Sequence, residues 1–141
     1  MSGAATQTRS VIIEREIAHP PEKIWRALTQ PHLIEEWLMK TDFKPVAGHQ
    51  FNLRREPMPG VNVVVDCEVL AVEPHKTLSY TWAAYGLDSV VTWTLTPTAT
   101  GTLLRMEQSG FRPDQSQAYH GARTGWREFL DALDAVLART D

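Results

Sequence analysis

The chain has 141 residues, of which 43% are hydrophobic and 22% charged, with a formal net charge of −3 and a pI near 5.9. That length suits one domain burying roughly two-thirds of its unfolded surface. The acidic balance argues against a nucleic-acid partner, which calls for a basic patch or stripe, and no segment approaches the ~20 apolar residues of a membrane span.

Residues 1–8 are small and polar, without the apolar stretch of a secretory signal, and are expected to be a disordered lead-in to one domain over residues 9–141. The single cysteine, Cys67, has no internal disulfide partner. It fits a cytoplasmic location. Flanked by Asp66 and Glu68 in an apolar run, it reads as a buried structural thiol. A nucleophilic thiolate needs electropositive, partly exposed surroundings.

Val11–Ile17 is β-branched and partly alternating, which predicts a first strand. Pro21 then suits a first helical position, and Ile24, Trp25 and Leu28 form one apolar stripe of a short helix. Pro31 opens a second short helix with Leu33, Ile34, Trp37 and Leu38 on its apolar face. The pair is a helix–turn–helix in shape only, since Glu35 and Glu36 would repel DNA phosphates.

After Lys40 the period changes to that of strands. His49–Glu56, Val61–Glu73, Thr77–Ala83, Ser89–Thr96 and Thr102–Phe111 are predicted strands, separated by short turn segments rich in Pro, Gly and polar residues. Connections this short make neighbouring strands antiparallel, because parallel pairs need crossovers of a dozen residues or more. From Asp114 the helical period returns. Ala122, Trp126, Phe129, Leu130, Leu133 and Leu137 share a broad apolar stripe, opposite Arg127, Glu128, Asp131 and Asp134. Gly125 sits inside this helix, where glycine costs about 1 kcal/mol relative to alanine. It either admits close approach of sheet backbone or is simply tolerated.

The order is strand, two short helices, a five-strand meander and a long helix. The meander's apolar face has no other large partner, so the sheet must curl around the terminal helix. The predicted fold is α+β: a curved antiparallel sheet of about six strands gripping a long C-terminal helix.

Little in this chain suggests catalysis. His19, His32, His49, His75 and His120 are scattered, without a paired-ligand motif, so no metal is expected. No phosphate loop, dinucleotide fingerprint or nucleophile elbow occurs, so no cofactor is expected. Ser109 and His120 are the one nucleophile–base pair to consider, and nothing in their spacing brings them together. The tryptophans say more. Trp37, Trp82, Trp93 and Trp126 fall on inward faces, whereas Trp25 packs the first helix. They form either an ordinary aromatic core or an aromatic-lined pocket with a few polar anchors. Leu104, Met106 and Gln108 share one strand face, so Gln108 points inward and needs a partner in protein, water or ligand. Tyr80 offers a second inward hydroxyl. Arg55 shares parity with Phe51 and Leu53 but lies beside a turn, where it can snorkel to the rim.

The ordered motifs carry a resemblance. They are Pro21-x-x-x-Trp25-x-x-Leu28-Thr29, then Pro31, Leu33 and Trp37, then Gly48-x-x-Phe51. Glu73-Pro74, Leu78-x-Tyr80-x-Trp82 and Gly101-Thr102-x-Leu104 follow. Gly110-Phe111 and Gly125-Trp126-x-x-x-Leu130-x-x-Leu133 complete the set. Over about residues 9–139 the chain resembles the Hsp90-ATPase-activator-homolog-like branch of the START-like, Bet v 1-like, polyketide-cyclase-like superfamily. Relatives often have a second aromatic at Leu38, histidine near Gln108 and glycine near Cys67. The resemblance implies a helix-grip fold with a cavity between helix and sheet. Its implied function is binding a small apolar or aromatic ligand lined by Trp37, Phe51, Tyr80, Trp82, Trp93, Met106, Gln108, Trp126 and Phe129. A cofactor-independent cyclase, dehydratase or hydrolase is the second reading, with His120 or Tyr80 as the titrating group. A protein-interaction module is the third, although the co-chaperone's activating region includes a domain absent here, so a chaperone partner is not expected. A homodimer stays open.

Overall fold

A computed structural model describes residues 8–140. The expected lead-in falls outside the described residues apart from Thr8, which is exposed coil. The elements run β1 (Arg9–Ile17), α1 (Pro21–Thr29), α2 (Pro31–Trp37), β2 (Lys40–Thr41), β3 (Gln50–Met58), β4 (Val61–Glu73), β5 (Thr77–Ala84), β6 (Leu87–Pro97), β7 (Thr102–Phe111) and α3 (Ser116–Arg139). The strands form one sheet in the order β1-β7-β6-β5-β4-β3-β2, antiparallel throughout. This is the helix-grip arrangement.

The sheet has seven strands, against an expected count of about six. The addition, β2, pairs only Lys40 with Arg54 and Thr41 with Leu53. Two residues are too short to show a period of two in sequence. The first strand pairs with the last, Val11 opposite Gln108 and Ile13 opposite Met106, so that the meander's final strand is interior.

Both short helices begin with proline at the first position, and Trp37 of α2 ties them together by donating its indole N–H to the Ala27 carbonyl at 2.8 Å. The terminal helix buries Trp126, Leu130, Leu133, Val136 and Leu137. Its supposed solvent face is partly engaged: Arg15 of β1 meets Asp131 and Asp134, each at 2.9 Å. These pairs are partly exposed and contribute little stability, but they orient the helix over the edge strand. Gly110 supplies a left-handed bend at φ +113° where β7 passes Asp88 closely. No other residue type adopts that conformation as readily.

Candidate functional site

The inner face of the sheet is built row by row from the strand register. Tyr80 lies opposite Val91, which lies opposite Gln108; one row away Leu78, Trp93 and Met106 line up. The terminal helix lies across these rows. Trp126 is thereby inserted between Trp93 and Trp82, with ring centroids 5.6 and 5.1 Å away, and Phe129 follows at 5.6 Å. Trp37 continues the series against Trp93 at 5.7 Å. These tilted and edge-to-face contacts are the favoured aromatic geometries.

A buried polar chain crosses this aromatic layer. Trp126 Nε1–H donates to Gln108 Oε1 at 2.7 Å, Gln108 Nε2–H donates to Ser89 Oγ at 3.0 Å, and Ser89 donates to the Trp82 carbonyl at 2.8 Å. Gln108 is only 2% exposed. A primary amide has two N–H donors, and no hydrogen bond among the described residues uses the second one.

Beside this chain lies a solvent-open pocket of about 230 Å³, bounded by Trp82, Leu87 and Gln108 from the sheet and Ala118, Gly121, Ala122, Gly125, Trp126 and Phe129 from α3. Its cause is visible in the helix. Ala118, Gly121, Ala122 and Gly125 recur at three- and four-residue spacing and so share one side of the helix, Ala118 and Gly121 exposed and Ala122 and Gly125 half-buried. A Cβ added at Gly121 or Gly125 would meet nothing within 4 Å. Gly125 therefore does not admit close approach of sheet backbone; it leaves open space.

Of the nine residues expected at the site, Trp82, Gln108, Trp126 and Phe129 border this cavity. Trp93 and Met106 are fully buried behind it, and Trp37 packs α2 onto Trp93. Phe51 and Tyr80 belong to an adjoining aromatic cluster with Phe43, at centroid distances of 5.0, 5.4 and 6.2 Å. The Tyr80 hydroxyl accepts the Trp93 indole N–H at 2.9 Å, and burial pushes its pKa well up. Phe43 and Ser89 were not singled out by sequence. Phe43 sits in a loop without periodicity, and Ser89 looked like the polar start of a strand.

The groups that would support catalysis lie elsewhere. None of the cavity's lining side chains is an acid, a base or a nucleophile. His120 is exposed on α3, in ring contact with Tyr119, and shares no hydrogen bond with Ser109. Burial first, then the charges of Asp66 and Asp42, push the Cys67 thiol up to about 12. Among the described residues, no three His, Cys, Asp or Glu side chains are grouped to hold a metal ion, and no helix is long and apolar enough to cross a membrane.

Comparison with known proteins places this geometry in a family. Protein MLL2253 from Mesorhizobium loti has a solved structure that is similar at 65% identity and a TM-score of 0.87, over 94% of this chain and 99% of that one. CalU16 from Micromonospora echinospora is 27% identical with a TM-score of 0.77, over 94% of this chain and 78% of that one. DynU16, a protein in the dynemicin biosynthetic locus, is 25% identical with a TM-score of 0.80, over 92% of this chain and 47% of its own length. No curated protein matches the chain. The family model for activator of Hsp90 ATPase homolog 1-like protein matches residues 18–138, and the chain belongs to that family.

Proposed function

We propose that the protein binds a small, mostly apolar molecule carrying one hydrogen-bond acceptor in the cavity between α3 and the sheet. The observation that carries this reading is the unused Gln108 N–H on the wall of an otherwise apolar space. A buried donor without a partner is costly, and a ligand carbonyl or hydroxyl oxygen would satisfy it. About 230 Å³ suits a ring system of one or two fused rings, given that an engineered apolar cavity of ~150 Å³ binds benzene. The likeness to DynU16, from a biosynthetic locus, is compatible with such a ligand. Binding is favoured over cyclase, dehydratase or hydrolase chemistry because the lining supplies no proton-transfer group.

The test uses a matched pair, 1-indanone and indane, which differ in one carbonyl. Both should quench tryptophan fluorescence, and indanone should bind about tenfold more tightly, the value of one net hydrogen bond. At a hundred times its Kd, indanone should add about 2.7 kcal/mol to unfolding stability. Absence of both quenching and stabilisation with either probe would overturn the reading.

A further inference from the structure

The buried side chains of α3 all lie in its second half: Trp126, Leu130, Leu133, Val136 and Leu137. That half is also tied by charge, through Asp131 and Asp134 to Arg15 and through Arg139 to Glu36, each at 2.9 Å. Residues 116–125 differ. None of their side chains is fully buried, and they include Gly121 and Gly125, glycine being the poorest helix former after proline. Segments with few buried apolar contacts open locally at a small fraction of the global unfolding free energy.

Two tethers hold this half down, and neither lines the pocket. Gln115, at the helix start, donates its Nε2–H to the Gly86 carbonyl of the β5–β6 turn at 3.2 Å, while its Oε1 accepts the Arg112 N–H at 2.9 Å. Tyr119 stands at 86° to the ring of buried Phe111, with centroids 5.6 Å apart, and takes the Arg9 guanidinium on its face at 3.9 Å. The Gln115 bond is exposed and the Tyr119 ring half-buried, so both release at modest cost.

The helix side of the pocket is Ala118, Gly121, Ala122 and Gly125 from the loosely held half, with Trp126 and Phe129 from the packed half. We propose that residues 116–125 are a movable wall of the pocket, swinging where Gly125 meets Trp126, and that its opening admits ligands larger than the resting space. This wall rests on the function proposed above and adds a size class to it: three fused rings carrying one oxygen acceptor. Smaller ligands enter the solvent-open pocket directly, whereas three rings wait for the wall.

Hydrogen exchange of the free protein, and stopped-flow tryptophan quenching by 1-indanone and 9-fluorenone, test this. Amides 120–125, past the first turn whose N–H groups lack intrahelical partners, should be at least about tenfold less protected than amides 127–137. Fluorenone should associate at least about tenfold more slowly than indanone, because only a minor open population receives it. Tyr119→Ala and Gln115→Ala each cut one tether and should speed fluorenone at least about threefold, with indanone unchanged. Gln115→Ala decides the matter if Tyr119→Ala does not fold. Uniform protection along α3, fluorenone that fails to bind or associates as fast as indanone, or fluorenone rates unmoved by the variants would each overturn the movable wall and leave indanone binding standing. If indanone itself fails to bind, the function proposed above falls, and the wall's role falls with it.

Discussion

The indole N–H of Trp126 and the side-chain oxygen of Gln108 meet at 2.7 Å, and both residues are 2% exposed. This one bond fastens the terminal helix to the last strand at the wall of the cavity. It also dictates which end of the Gln108 amide faces inward for a ligand: the oxygen is taken by Trp126, so the nitrogen is left to donate.

Gln108→Leu should therefore destabilise the protein by about 1–3 kcal/mol, because it strands the buried Trp126 N–H and removes the donor to Ser89. Trp126→Phe alone strands the Gln108 oxygen. Combining the two substitutions removes both halves of the bond, so the double variant should lose less than the sum of the singles. Urea unfolding of all four proteins measures this. Strict additivity would mean that the bond contributes nothing of its own.

The face of α3 is tested by neighbours in sequence. Trp126→Ala removes a side chain in contact with Trp82, Trp93 and Phe129 and should cost about 3–5 kcal/mol. Arg127→Ala, on the exposed side, should change stability by less than about 0.5 kcal/mol. Similar urea midpoints for the two would contradict the orientation of the helix.

Much of this architecture was legible because it rests on two periods. The alternation of Leu78, Tyr80 and Trp82, and of Val91, Trp93 and Leu95, declares the buried face of each strand, and all six are buried as that pattern requires. The stripe through Trp126, Leu130, Leu133 and Leu137 does the same for the helix. Periodicity says that a side chain points inward, but not what it meets. Tyr80 and Trp82 share a strand face, yet Tyr80 joins Phe43 and Phe51 while Trp82 borders the cavity. The void itself is written in small residues, Ala118, Gly121, Ala122 and Gly125, and small residues carry no apolar signal to read. Ser89 and Arg55 depended on where a strand runs past the core, which local sequence does not encode. The pairing of Lys40 with Arg54 depended on a two-residue strand with no period at all.

Cys67 should be inert to thiol reagents in the native state and fully reactive after denaturation, since it is 6% exposed and its thiolate is disfavoured by burial and by Asp66. The same shift gives a pH dependence with a definite sign. Burial holds the native thiol up to about 12 against an ordinary value of 9.0, so between those values the unfolded state loses a proton that the native state retains. Unfolding is thereby favoured, and stability falls as pH rises above about 9. Tyr80, also shifted upward, adds to the fall at higher pH. Cys67→Ala should flatten the first part of this alkaline decline in urea midpoints. An identical slope in the variant would assign the decline to other groups.

The cavity makes a prediction that runs against ordinary expectation for a core position. Gly125 is half-buried within a helix beside Trp126, a place where adding atoms usually overpacks. Here a Cβ would meet nothing within 4 Å, so Gly125→Ala should stabilise the protein by about 1 kcal/mol through helix propensity alone. Gly110→Ala is the control, because its φ of +113° and the Asp88 carbonyl oxygen at 2.7 Å from the new Cβ make the same substitution destabilising. Gly125→Leu extends the logic. Its side chain would project toward the space bounded by Trp82, Gln108 and Phe129, keeping the fold while removing the volume that a ligand needs. Stability equal to or above wild type, together with lost indanone quenching, is the expected pair of results. A variant that folds and still binds indanone with unchanged affinity would move the ligand out of this cavity; one that unfolds would show that α3 has no room there.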